Sequence, residues 1–114
     1  MSNDDCLFCK IVAREIPSTV VRESERTLSF RDVSPLAPTH VLVIPKEHHR
    51  DAAALVAADP MAMAEVLSEA SAVAEQEGLE AFRLIFNTGS EAGQSIFHAH
   101  GHVLGGRPLS WPPG

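Results

Sequence analysis

One helix-length pattern governs how this chain can fold. Met63, Val66, Leu67, Ala70, Val73 and Ala74 recur at intervals that place them on a single helical stripe. Asp59 suits the N-cap, Pro60 the first turn and Gly78 the C-terminal cap. A helix that is apolar on one side must cover another layer, and the other apolar runs are mostly strand-length. Ahead of it, residues 19–22 and 27–31 are β-branched or alternating, and the polar residues 23–26 between them predict a hairpin connection. Residues 40–44 are almost continuously apolar and stop at Pro45, as befits a strand buried on both faces. Beyond the helix, residues 82–86 and 98–104 predict a fourth and a fifth strand. Short connections favour antiparallel neighbours, so the expected fold class is α+β, a five-stranded antiparallel sheet with one main helix. Ala52, Ala53 and Ala54 predict a shorter helix, and residues 10–15 a helical segment whose continuation Pro17 disfavours.

A length of 114 residues predicts a single domain spanning 1–114. The formal net charge of -6 argues against nucleic acid as a partner, because that binding needs a basic surface to displace counterions. A single small anion is compatible with it, held by backbone N–H groups and a few donors. Met1, Ser2, Asn3, Asp4 and Asp5 lack the basic start and apolar run of a secretory signal. No stretch approaches the ~20 apolar residues of a membrane span, so the expectation is a cytoplasmic protein without a membrane partner. In that compartment Cys6 and Cys9 are thiols or metal ligands rather than a structural disulfide.

His98, His100 and His102 alternate along the last predicted strand, so their side chains share a face. Imidazoles so placed serve either of two chemistries. They hold a metal ion whose open position activates water, or one of them attacks phosphorus as a neutral nucleophile. Spacing alone leaves both open. The stretch before them, residues 87–95, supplies Gly89 and Gly93 together with Gln94, Ser90 and Ser95. Glycines let backbone N–H groups approach an oxyanion, and the polar side chains add donors. The Gly-Lys-Ser/Thr of a Walker loop is missing, so a magnesium-bound triphosphate is not predicted.

Residues 93–104, from Gly93, Gln94 and Ser95 through His98, His100 and His102 to Leu104, resemble the signature of the histidine triad (HIT) family. Residues 30–35, 38–40 and 43–46, with the terminal Trp111, Pro112, Pro113 and Gly114, resemble its histidine triad nucleotide-binding (Hint) branch. Gly101 departs from the pattern, which usually has a bulky apolar residue there. The resemblance implies a HIT-like domain that dimerises into a joined sheet. It implies a hydrolase cleaving the P–N bond of purine nucleoside 5′-phosphoramidates, derivatives of AMP or GMP, through a nucleotidyl-histidine intermediate. His100 maps to the nucleophile, His102 to a contact with phosphate oxygens, and Ser95 to a position near the leaving group. Asp32 would hold the ribose hydroxyls, Phe30 and Val33 would lie near the base, and Asn87, Gly93, Gln94 and Ser95 would surround the phosphate. No catalytic metal is expected. Alternatives within the resemblance are cleavage of dinucleoside polyphosphates or acyl-adenylates, or nucleotide binding with little catalysis.

Cys6 and Cys9 have the spacing of a zinc knuckle but supply only two of the four ligands that a structural site requires. Some bacterial members of the resembled family complete the set with residues that map to His48 and His98, which makes structural zinc the expected cofactor. His49 is an alternative neighbour.

Overall fold

The structure, a computed structural model, describes residues 5–114. The reading of Met1, Ser2, Asn3 and Asp4 as part of a leaderless start therefore lies outside the described residues. In chain order the elements are α1 (Leu7–Val12), β1 (Val20–Glu23), β2 (Thr27–Arg31), β3 (Thr39–Pro45), α2 (Ala52–Ala58), α3 (Pro60–Gln76), β4 (Phe82–Ile85) and β5 (Gly101–Gly105), with a 3₁₀ turn at Ser90–Ala92. The strands form one sheet in the order β1-β2-β3-β5-β4, every neighbouring pair antiparallel. The α+β expectation holds.

β3 lies at the centre and is buried along its whole length. Because side chains alternate across a sheet, Val41 and Val43 face one side, where they pack with Leu55 of α2 and with Val66, Ala70 and Val73 of α3. Leu42 and Ile44 face the other side and pack with Leu28 and Phe30 of β2 and with Phe8 and Ile11 of α1. Each side chain of this kind that is fully buried contributes roughly 1.5–3 kcal/mol of transfer free energy. The sheet thus has two covered faces, and the chemistry-bearing residues lie on the α1 side.

The main helix begins as its sequence dictates. Asp59 accepts a hydrogen bond from the Ala62 N–H at 3.1 Å, and Pro60 occupies the first turn. At the other end Gly78 adopts φ 71°, the Leu79 N–H donates to the Ala74 carbonyl and the Gly78 N–H to the Glu75 carbonyl. That is a Schellman arrangement, for which glycine carries no Cβ penalty. Its buried stripe is Ala62, Val66, Ala70, Val73 and Ala74, whereas Leu67 stands 45% exposed. Asp51 caps the short α2 in the same manner through the Ala54 N–H.

Two boundaries differ from expectation. The first helix is Leu7–Val12 instead of residues 10–15, because the Cys6 sulfur accepts from the Cys9 N–H as an N-cap and Arg14 turns to φ 64°. The fifth strand was expected from residue 98 but begins at Gly101, so only His102 of the three alternating histidines lies in the ladder. Val43 pairs with Gly101, and the next facing position on β3 is Pro45, which has no N–H to give. The Ala99 N–H bonds the His49 carbonyl at 2.7 Å instead.

Gly101 has a packing reason. A Cβ there would stand 2.9 Å from the Phe86 ring and 3.0 Å from the Leu84 side chain, so these two occupy the space that a larger residue would take. Gly101→Val is therefore expected to destabilise the fold by about 1–3 kcal/mol, and adding Phe86→Leu to recover part of the loss. Urea unfolding of the single and double variants measures both; a neutral single substitution would contradict this packing.

Candidate active site and metal centre

His98, His100 and His102 keep their common side of the sheet but go to separate places. The Phe8 ring meets His98 and His100 edge-on, with centroids 6.0 and 5.1 Å away, and His100 and His102 lie 4.9 Å apart. Among the described residues the three do not form one ligand set. His98 groups with Cys6, Cys9 and His48, His102 groups with Asp32 and His40, and His100 joins neither group. This arrangement does not fit a metal held by all three.

Backbone partners fix the proton on two of the rings. A carbonyl only accepts, so His98 donates from Nε2 to the Pro45 carbonyl at 2.8 Å and turns an Nδ1 lone pair toward the cysteines. His100 likewise donates from Nδ1 to the His98 carbonyl at 2.7 Å, which leaves its Nε2 with a free lone pair. Burial lowers the pKa of His100, opposed by that hydrogen bond and by Asp32. Burial and the neighbouring His100 and His40 push His102 down to about 4. Both rings are thus neutral at pH 7.

Beside these rings lies a pocket of about 570 Å³, lined by Phe8, Ile11, Phe30, Asp32, Val33, Leu42, Ser95 and Ile96 among others. Its size is that of a small-molecule site, and its floor is apolar. Phe30 is buried edge-on against Phe8 at 5.5 Å, while Val33 stands 98% exposed at the rim. Asp32 Oδ1 accepts the Ser34 N–H at 2.8 Å, and its Oδ2 lies 3.4 Å from His40 Nε2. Arg31, the basic side chain lining the pocket, is held by both carboxylate oxygens of Glu77 at 2.8 and 3.1 Å.

The loop before the histidines is organised by Gln94. Its Oε1 accepts the Gly89 N–H, and its Nε2 donates to the carbonyls of Arg50 and Ile96. Gly93 sits at φ 97°, and the N–H groups of Gly93 and Gln94 donate to Ser90 and Gly89. Gln94 therefore shapes the loop from within, its side chain buried, whereas Ser95 is exposed at the pocket wall and Asn87 lies half-buried near Gly93.

The second constellation is Cys6, Cys9, His48 and His98, whose ligand atoms all lie within 4.8 Å of one another. His98 Nδ1 is 3.4 Å from the Cys6 sulfur and 3.5 Å from that of Cys9, and His48 Nδ1 is 3.4 Å from Cys9. Bonds of about 2.3 Å to sulfur and 2.0–2.1 Å to nitrogen at tetrahedral angles put the ligands roughly 3.5 Å apart, so the set fits zinc. Burial and the adjacent Cys6 push the Cys9 thiol up to about 12, a cost that a bound cation removes. The His98–Pro45 hydrogen bond orients the imidazole as the outer partners of zinc ligands do. His49 instead gives its carbonyl to Ala99 and approaches Glu47 at 3.3 Å, which leaves the position to His48.

Sequence reasoning gave no role to His40 or Phe8. A histidine at the head of an otherwise apolar run is the available signal for the first, which the structure buries to 4% exposure. The second carried none, since a buried aromatic on a short helix reads as core.

Residues 13–109 match the family profile described as HIT domain. A maize protein named 14 kDa zinc-binding protein is 44% identical over 119 residues, covering 100% of this chain and 91% of its own length. An Arabidopsis thaliana protein named adenylylsulfatase HINT1 is 44% identical over 126 residues, covering 99% of this chain and 79% of its own. The crystal structure of a HIT family hydrolase from Legionella pneumophila superposes with a TM-score of 0.92 at 47% identity, over 96% of this chain and 100% of that one.

Proposed function

The chain belongs to the HIT domain family, and on that premise we propose that it hydrolyses purine nucleoside 5′-phosphoramidates, derivatives of AMP or GMP, through a nucleotidyl adduct on His100. The observation carrying this reading is a neutral, oriented imidazole beside a nucleoside-sized pocket, its Nδ1–H spent on the His98 carbonyl and its Nε2 lone pair free. The Nε2 lone pair attacks phosphorus, the P–N bond breaks, and the amine leaves with a proton taken from solvent at the pocket. Water then attacks the same phosphorus, releasing a proton to solvent, and the bond to His100 breaks, returning the lone pair to Nε2.

Phe30 and Val33 flank the base in this reading, and Asp32 accepts the ribose hydroxyls. Asn87, Gly93, Gln94 and Ser95 form the phosphate loop, Ser95 stands near the leaving group, and His102 contacts a phosphoryl oxygen. With Arg31 already paired to Glu77, no free cation among the pocket's described lining residues awaits a chain of phosphates. That favours one singly charged phosphorus centre over a dinucleoside polyphosphate. The activity in the Arabidopsis relative's name concerns an adenylyl group with a different leaving group.

Zinc held by Cys6, Cys9, His48 and His98 would tie α1 to the loop and to the His98 backbone, a structural cross-link through which no step passes. The chain is read as one HIT domain over 1–114, cytoplasmic, working as a homodimer whose sheets join. Support for the dimer is the sheet-edge strand β4, where Phe82 is 41% exposed, and the nearby Trp111, 80% exposed with Arg83 over its ring.

Acid quenching during turnover of adenosine 5′-phosphoramidate, followed by peptide mass analysis, tests the reading. The expected result is one adenylyl group on His100, together with retained configuration at a chiral thiophosphoryl centre. Inversion without an adduct would mean direct attack by water.

A further inference from the structure

Two neighbouring imidazoles of identical chemistry have opposite jobs in this reaction. One offers phosphorus a bare nitrogen and the other offers an oxygen an N–H. What distinguishes them can be traced from backbone groups whose hydrogen-bonding sense is fixed. The Leu36 N–H only donates, so His40 Nδ1, 3.1 Å away, is an acceptor, and the single proton of this neutral ring sits on Nε2. His40 Nε2 lies 2.9 Å from His102 Nδ1, closer than the 3.4 Å to Asp32 Oδ2. His102 Nδ1 thus accepts, and its own proton is on Nε2, a buried atom with no partner among the described residues.

We infer that His40 is a positioning residue that locks His102 as an Nε2–H donor to a phosphoryl oxygen and denies it the free lone pair of a base. The inference rests on the phosphorus-transfer reading above and adds to it the origin of the difference between His100 and His102. Burial lowers the pKa of His40 despite the nearby Asp32, which keeps the pair neutral and the direction of the hydrogen bond defined. Without His40, a neutral His102 would exchange between its two tautomers, and one of them turns a lone pair toward the substrate oxygen. Removing one well-placed donor to developing negative charge typically slows reaction by about 10²–10³-fold.

The test uses the full chain labelled with ¹⁵N-histidine at neutral pH, with adenosine 5′-phosphoramidate as substrate. In the unsubstituted protein the His102 ring should carry its proton on Nε2. His40→Leu should populate the Nδ1–H form and slow single-turnover adenylylation about 100-fold, while AMP affinity changes less than about threefold. His40→Gln, whose amide can accept from Leu36 and donate to His102, should restore the tautomer and most of the rate. A proton on His102 Nδ1 in the unsubstituted protein overturns the inference without any variant, so a poorly folding His40→Leu does not shelter it. An unchanged tautomer or an unchanged rate in folded His40→Leu overturns it equally. Failure to find an adduct on His100 would instead strike the reaction itself, whatever the state of His102.

Discussion

The His100→Ala protein is expected to bind AMP within a few-fold of the unsubstituted affinity while losing nucleotidyl transfer by at least about 10⁴-fold, the scale seen when a covalent nucleophile is removed. Binding should survive because the pocket walls come from α1, β2, Leu42 of β3 and the neighbouring loops, and in the proposed reaction His100 would add only the attacking nitrogen. The ring is held by one hydrogen bond to the adjacent His98 backbone and by an edge contact with Phe8, so its truncation leaves both core clusters in place. Stopped-flow turnover beside calorimetric AMP titration separates the two quantities. Wild-type turnover by the alanine protein would remove His100 from the chemistry. A parallel collapse of AMP affinity would mean that the ring builds the pocket.

The second large effect concerns the cysteines. Protein prepared without chelators is expected to hold one zinc ion per chain, and Cys6→Ser/Cys9→Ser none. Where free zinc exceeds the dissociation constant about 1,000-fold, the ion adds about 4 kcal/mol to the folded state. For a chain of this size that is roughly 10–20 °C in Tm. Part of the loss should appear on adding EDTA to the unsubstituted protein, since the fold has two apolar clusters that do not depend on the metal. Elemental analysis and thermal unfolding measure the pair; metal-free protein with the same Tm as the serine variant would refute a zinc centre.

Local rules made much of this fold readable. β2 runs over Thr27–Arg31 as its alternation requires, and α3 lies between the Asp59 cap and the Gly78 turn that the chain announces. Those are short-range effects, set by neighbours in sequence. The start of β5 was not readable, because what ends the ladder is a proline on another strand, across from Ala99 rather than beside it. The same holds at the site. Regular spacing exposed the three histidines, but their division between a cysteine cluster, a backbone carbonyl and His40 depends on residues 62–92 positions away or on main-chain groups. Gln94 illustrates the opposite difficulty. Its place in a recognised motif indicated a phosphate contact, and only the three partners of its side chain identify it as the brace of the loop.

Linked imidazoles often conduct protons between an interior and a surface. At its inner end this pair has no such outlet, because the amide of Leu36 closes it and a main-chain N–H does not surrender its hydrogen at neutral pH; the carboxylate within reach, Asp32 at 3.4 Å from His40 Nε2, belongs to the pocket lining. In the proposed reaction, the hydrogen that the departing amine takes and the one that the incoming water sheds would therefore exchange on the pocket side, where Asp32 lies. Under that reading the acid–base traffic of each cycle would belong to the pocket side rather than to conduction through the protein body.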